Sequence, residues 1–236
     1  MNRDIVTILQ EIRETDDPEQ IHELISEALE IDSHDPMVLL LAAEFSHDAY
    51  ERLSFLDHAI RHTEHHLDEE NMFDQGNESD LLDHPLTDLL SKMVSLRFHT
   101  FMDLNYYHQA VHEYLQLQTL EANEAYEDER VMLACLFGNY LQLAQDLHEQ
   151  YAIPPFTISY PYAVMLYNHG NEETGLAIFE NLLQTIPKLK AFFTQLTFGE
   201  TPTPESEEDY ILLNTLLQIS NFTPEAFTNI VGNSHN

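Results

Sequence analysis

The chain is 236 residues long and 43% hydrophobic, enough apolar material for a packed core in one large domain or two small ones. It sets 42 Asp and Glu against 9 Lys and Arg, a formal charge of -33 that repels phosphate backbones and anionic headgroups and so argues against nucleic-acid and membrane-surface binding. One cysteine excludes an internal disulfide, and the longest apolar run, 37–43, is far too short to span a bilayer.

Low Gly and Pro content, 6 and 10 residues, with apolar residues recurring every three or four positions, predicts an all-α fold. Ile5, Ile8, Leu9 and Ile12 form one apolar stripe, and Ile21, Leu24, Ile25, Ala28 and Leu29 form the next, with Asp16-Asp17-Pro18 between them. Asp17 suits a helix cap and Pro18 the first turn, where a missing N–H costs nothing. The same unit recurs, with helices predicted over about 36–47 and 48–62, 85–104 and 106–120, 127–137 and 140–151, and 156–168 and 172–186. Residues 64–83 hold eight Asp and Glu positions (Glu64, Asp68, Glu69, Glu70, Asp74, Glu78, Asp80 and Asp83) and no Lys or Arg. They read as an acidic insert, either plain solvated surface or a docking segment for a basic partner. A helix over about 188–198, a loop over 199–204, an amphipathic helix over about 210–219 and a short helix begun by Thr223-Pro224-Glu225 close the chain as a cap.

Between 160 and 188 stand Gly170 at the inter-helix turn, small Gly175 five residues on, then Phe179, Leu182 and a closing Pro187. Asn105, Ala110, Tyr114 and Leu117 occupy the same offsets, as do Asn139, Ala144, His148 and Tyr151. This pattern resembles the tetratricopeptide repeat, and the resemblance spans about 2–188. The chain departs from that family in having no Trp, in Phe98 and Met132 where a first-helix Gly is usual, and in Ala122 where a Pro is usual.

The resemblance implies a right-handed solenoid of about five stacked antiparallel helical hairpins with C-terminal capping helices. The expected division is a repeat domain over 1–198, carrying the insert 64–83, and capping helices over 199–236 packed on it. In such arrays the first helix of each hairpin lines a concave face. Here that places Met37, Leu41, Glu44 and Phe45, then His99, Met102 and Asp103, then Glu129, Leu133, Leu136 and Phe137, and finally Tyr160, Val164, Tyr167 and Asn168 on the partner-binding face. Aromatic and Met anchors among carboxylates suit a basic or neutral peptide. The same apolar stripe also suits plain core packing. Relatives that clamp a peptide's terminal carboxylate use cations, and this face offers Lys92 alone, which disfavours that ligand.

Catalytic chemistry finds little purchase. His58 and His62 stand four apart, His65 and His66 follow, and His108 and His112 make a second pair able to chelate Zn²⁺, Ni²⁺ or Cu²⁺. A held metal needs three or four convergent ligands, so these read as surface histidines and no metal or cofactor is expected. A single Glu-x-x-His, Glu19 to His22, falls short of a di-iron set. Cys135, in an apolar run without a flanking cation, reads as core, and no nucleophile elbow, phosphate loop or His-Glu-x-x-His occurs. The opening Met1-Asn2-Arg3-Asp4 does not resemble a secretion signal, so a cytoplasmic setting is expected. The expected function is a non-enzymatic protein-interaction scaffold or adaptor. One alternative is an acidic nucleic-acid mimic that inhibits a DNA- or RNA-binding protein, and another is a metal-binding protein using the histidine pairs.

Overall fold

The computed structural model describes residues 4–69, 84–120 and 128–233, and everything regular among them is helical. The chain forms two compact units, 1–125 and 126–236. No helix among the described residues is long and apolar enough to cross a membrane.

The first unit holds α1 (Ile5–Glu14), α2 (Pro18–Ile31), α3 (Pro36–Phe45), α4 (Ala49–Glu69), α5 (Pro85–Asp103) and α6 (Tyr107–Thr119). One local device starts most of them, a side-chain acceptor just ahead of the first turn. Asp17 accepts from Glu19 N at 3.0 Å, and Asp35 accepts from Met37 N at 2.9 Å and Val38 N at 3.0 Å; Pro18 and Pro36 supply the preset first residue. Asp48 accepts from Tyr50 N and Glu51 N at 2.9 and 2.8 Å, and His84 Nδ1 from Leu86 N at 3.2 Å. The predicted stripes then meet: Ile8 and Ile12 of α1, Ile21, Leu24, Ile25 and Ala28 of α2, and Val38 and Ala42 of α3 form one buried cluster. Helix α4 packs on α3 and α5 through Leu56, Ala59, Ile60 and Leu67. It runs on to Glu69, beyond the end predicted near 62, because Thr63 and Leu67 keep its apolar face buried for another two turns. The rest of the expected acidic insert, 70–83, lies outside the described residues.

The second unit holds α7 (Asp128–Gly138), α8 (Leu141–Glu149), α9 (Phe156–Asn168), α10 (Glu172–Thr185), α11 (Pro187–Thr197), α12 (Glu207–Gln218), a 3-10 turn (Ser220–Phe222) and α13 (Glu225–Asn233). Helix α9 is its centre, packing on α7, α8, α10 and α12, and every residue from Thr157 to Leu166 is buried. Around it Tyr160, Phe179, Phe193 and Phe227 bring α9, α10, α11 and α13 together. Phe179 and Phe227 stack at 4.3 Å, and Phe179 meets Phe193 at 5.3 Å. Such pairs add about 0.5–1.5 kcal/mol each beyond the area they bury. Helix α12 begins at Glu207, earlier than the predicted 210, since Ser206 caps Asp209 N at 3.2 Å and the first turn is acidic.

Three turns between paired helices share one geometry, which Gly199 (φ 75°, Glu200 N to Gln195 O at 2.9 Å) repeats after α11. Asn105, Asn139 and Gly170 take φ of 60°, 66° and 87°, and the next amide reaches back to a carbonyl five residues earlier: Tyr106 N to Phe101 O at 2.8 Å, Tyr140 N to Cys135 O at 2.8 Å, Asn171 N to Leu166 O at 2.9 Å. Five residues after Asn105, Asn139 and Gly170 comes a small buried residue, Ala110, Ala144 or Gly175. A Cβ on Gly175 would lie 2.7 Å from the Ala163 carbonyl oxygen and 3.0 Å from Tyr167 N, so α9 and α10 approach as closely as backbones allow.

Gly175→Ala should therefore force the two helices apart, at a cost of about 1–3 kcal/mol in urea unfolding. Gly170→Asn should cost less than about 1 kcal/mol, since Asn tolerates the left-handed region and already does so at two sister turns.

Candidate functional site

The fifteen residues expected on a concave face separate into different environments. In the first unit Glu44 and Asp103 are exposed, Met37 and His99 are half-buried, and Met102 is buried. Leu41 and Phe45 pack against the N-terminal cluster. Although Glu44 is exposed by area, neighbouring atoms shield its carboxyl from part of the solvent, and that partial desolvation pushes it up, with Lys92 pulling against it.

In the second unit the correction is larger. Tyr160 and Val164 have no exposed surface and Leu136 has little, so these belong to the core. The Tyr160 hydroxyl shares a 2.7 Å hydrogen bond with Thr223 Oγ1. Asn168 Nδ2 donates to the Phe222 carbonyl at 3.1 Å, Phe137 meets the Phe222 ring at 5.1 Å, and Tyr167 meets Phe227 edge-on at 5.7 Å. The physical reason is simple: the segment 220–227 of the same chain covers this end of α9. Leu133 is half-buried, and Glu129 remains exposed.

Glu129 also belongs to a feature that the chain's spacing did not show. A cleft of about 600 Å³ opens where the first turns of α7, α9, α11 and α12 converge. Pro155 and Phe156 form one wall, Ile186 and Pro187 a second, and Ile211 and Leu212 a third. Phe156 is held flat against Tyr160, ring centres 5.2 Å apart and 9° from parallel, so the aromatic core anchors this wall. Ile211 keeps 45% of its surface exposed.

Glu129 and Glu208 stand at the cleft as exposed carboxylates, and Glu129 accepts from Thr157 Oγ1 at 3.3 Å. Lys188, the cation there, is already neutralised, with Nζ 2.5 Å from Asp209 Oδ2 and 3.2 Å from Glu205 Oε2. These hydrogen bonds push the Lys188 pKa up and hold Asp209 below the usual carboxylate range. The surplus charge of the cleft is therefore negative. Its volume suits a side chain or short peptide segment, and apolar walls with a few polar groups are the usual make-up of a binding pocket.

Asp209 is spent on Lys188 and on the Glu205 amide at 3.1 Å. Elsewhere in the unit, burial pushes the Cys135 thiol up to about 12, which leaves almost no thiolate at neutral pH.

Two measurements test this description. Tyr160→Ala should open a core cavity and cost about 3–5 kcal/mol in chemical denaturation, the penalty of truncating a buried large aromatic. Asp209 contributes stability that is present above the ordinary carboxylate pKa of about 3.9 and is lost as pH falls through its depressed folded value. Lys188→Met removes the partner that depresses it, so acid unfolding of the second unit, followed by circular dichroism, should begin at higher pH than in the parent.

Comparison of the chain with protein-family models, with curated proteins and with solved structures found no match.

Proposed function

We propose that this protein is a non-catalytic interaction scaffold or adaptor of a divergent tetratricopeptide-like kind, its helix pairs stacked as a solenoid. We further propose that it holds a basic or neutral, partly apolar segment of another protein, with the cleft between α7, α9, α11 and α12 as its contact point. The repeated turn supports the architectural half of this reading: a left-handed Asn105, Asn139 or Gly170, then a small buried residue, then Tyr114 or Phe179 in the core. Asn105 and Asn139 are separated by about the 34 residues of a tetratricopeptide period.

The observation that carries the functional half is the combination at the cleft of half-exposed apolar walls with carboxylates left over after Lys188 is neutralised. Apolar walls reward a side chain that leaves water, at about 25 cal/mol per Å². The excess carboxylates attract cations from a distance and repel acidic competitors. A peptide alternating Leu and Lys satisfies both.

The test uses such a peptide, fluorescently labelled, beside a Leu/Glu peptide of equal length. Anisotropy should show the Leu/Lys peptide binding and weakening with added salt, with the Leu/Glu peptide unbound. Glu129→Lys with Glu208→Lys should weaken it by about tenfold, chiefly through slower association. Equal binding of the two peptides, or no effect of the charge reversals, would falsify the assignment.

A further inference from the structure

The cleft between α7, α9, α11 and α12 carries a flat aromatic surface as well as carboxylates. Tyr160 takes one face of the Phe156 ring, the planes 9° apart and the centres separated by 5.2 Å. Phe156 is half-buried rather than enclosed, and it lines the cleft, so the opposite face of its ring is the one presented there. Behind it Tyr160 has no exposed surface and meets Phe179, Phe193 and Phe227 at 5.9, 6.4 and 6.4 Å. The Phe156 ring is thus backed by a fixed aromatic block.

A carboxylate stands beside this ring. Glu129 Oε1, on α7, accepts from the hydroxyl of Thr157, the residue that follows Phe156, at 3.3 Å. Glu208, in the first turn of α12, is exposed at the same cleft. The chain's own cation there is turned elsewhere, with Lys188 Nζ 2.5 Å from Asp209 Oδ2 and 3.2 Å from Glu205 Oε2, which leaves the aromatic face to a ligand. Lysine and arginine meet such a surface differently. An ammonium is a compact, strongly hydrated point charge, whereas a guanidinium is planar and more weakly hydrated, and it can lie flat on a ring while its edge donates to a carboxylate.

We infer that the cleft selects arginine over lysine, with a guanidinium stacked on Phe156 and its donors on Glu129 or Glu208. This rests on the reading of the cleft as a site for a cationic segment and names the cation. The apolar stem of the arginine runs along Pro155, Pro187 and Ile211, which line the same opening, while its charged head stays at the carboxylates.

The test compares the labelled Leu/Lys peptide with a Leu/Arg peptide of equal length and charge, by anisotropy on the full chain at neutral pH. The Leu/Arg peptide should bind about fivefold tighter, the size of a partly exposed cation–π contact. Phe156→Leu and Phe156→Met each keep an apolar wall but remove the ring, and should bring the ratio of the two affinities to within about twofold. Phe156→Tyr should preserve it. Urea unfolding followed by circular dichroism identifies which variants keep the fold, and the milder methionine change serves if leucine does not. Equal binding of the two peptides to the parent would overturn the inference and leave the basic-partner reading standing. A preference that survives loss of the ring would overturn it too, by assigning the difference to the peptide rather than to Phe156. Binding of neither peptide would remove the underlying reading and this inference with it.

Discussion

A helix of nine to fourteen residues does not persist alone in water, since nucleation is costly and few intrahelical bonds follow it. Most helices of this chain are of that length, so each depends on how closely it can lie against its neighbour. That distance is set by a recurring pair of positions: a left-handed residue that reverses the chain, then a small residue five places on that lets the helices touch. At Gly175 the clearance is already below what a methyl group needs, and Phe179 one turn later enters the aromatic cluster that α11 and α13 complete. Close helix approach is thus the condition under which the second unit's core, and the cleft built on it, exist.

Charge is the opposing constraint. With 42 carboxylates and 9 cations, the folded chain repels itself, and its positive side chains are placed where they do most. Arg97 bridges Asp57 at 2.9 Å and Glu113 at 2.8 Å, the latter nearly buried; burial pushes Glu113 up while Arg97 pulls it down. Arg52 satisfies the end of α3, donating to the Ala43 and Ser46 carbonyls at 3.2 and 2.7 Å. Lys188 ties the start of α11 to the start of α12. Cations committed to the fold in this way leave the surface carboxylates in excess, which is why the proposed partner is basic or neutral.

Much of the fold was legible because capping and periodicity are local. Asp17-Pro18 and Asp35-Pro36 start helices where their chemistry requires, and Asn105, Asn139 and Gly170 turn the chain where the repeat offsets place them. The contact surface was much less legible, for a physical reason visible in α9. Ten consecutive buried residues leave no polar face, so a helical register cannot say which side of α9 meets solvent. Tyr160 fell on the expected groove by its place in a first helix, and nothing local shows that Thr223 takes its hydroxyl. The 600 Å³ cleft draws on four helix starts, so it exists only once distant segments are brought together.

If the cleft binds as proposed, its two halves would act on different steps of binding. Its walls rest on a helix buried all round and on rings stacked in place, so a ligand there would meet a surface already shaped, and little ordering cost would be subtracted from the area it buries. Its carboxylates are exposed and screened by salt, so they would act mainly on how often a cationic segment arrives and how it is oriented. Residence would then depend on Phe156, Ile186 and Ile211, and arrival on Glu129 and Glu208. A partner with charge alone would associate quickly and leave quickly, and an apolar partner without charge would be slow to arrive. On the proposed reading, selectivity would therefore require both features within one short segment of the ligand.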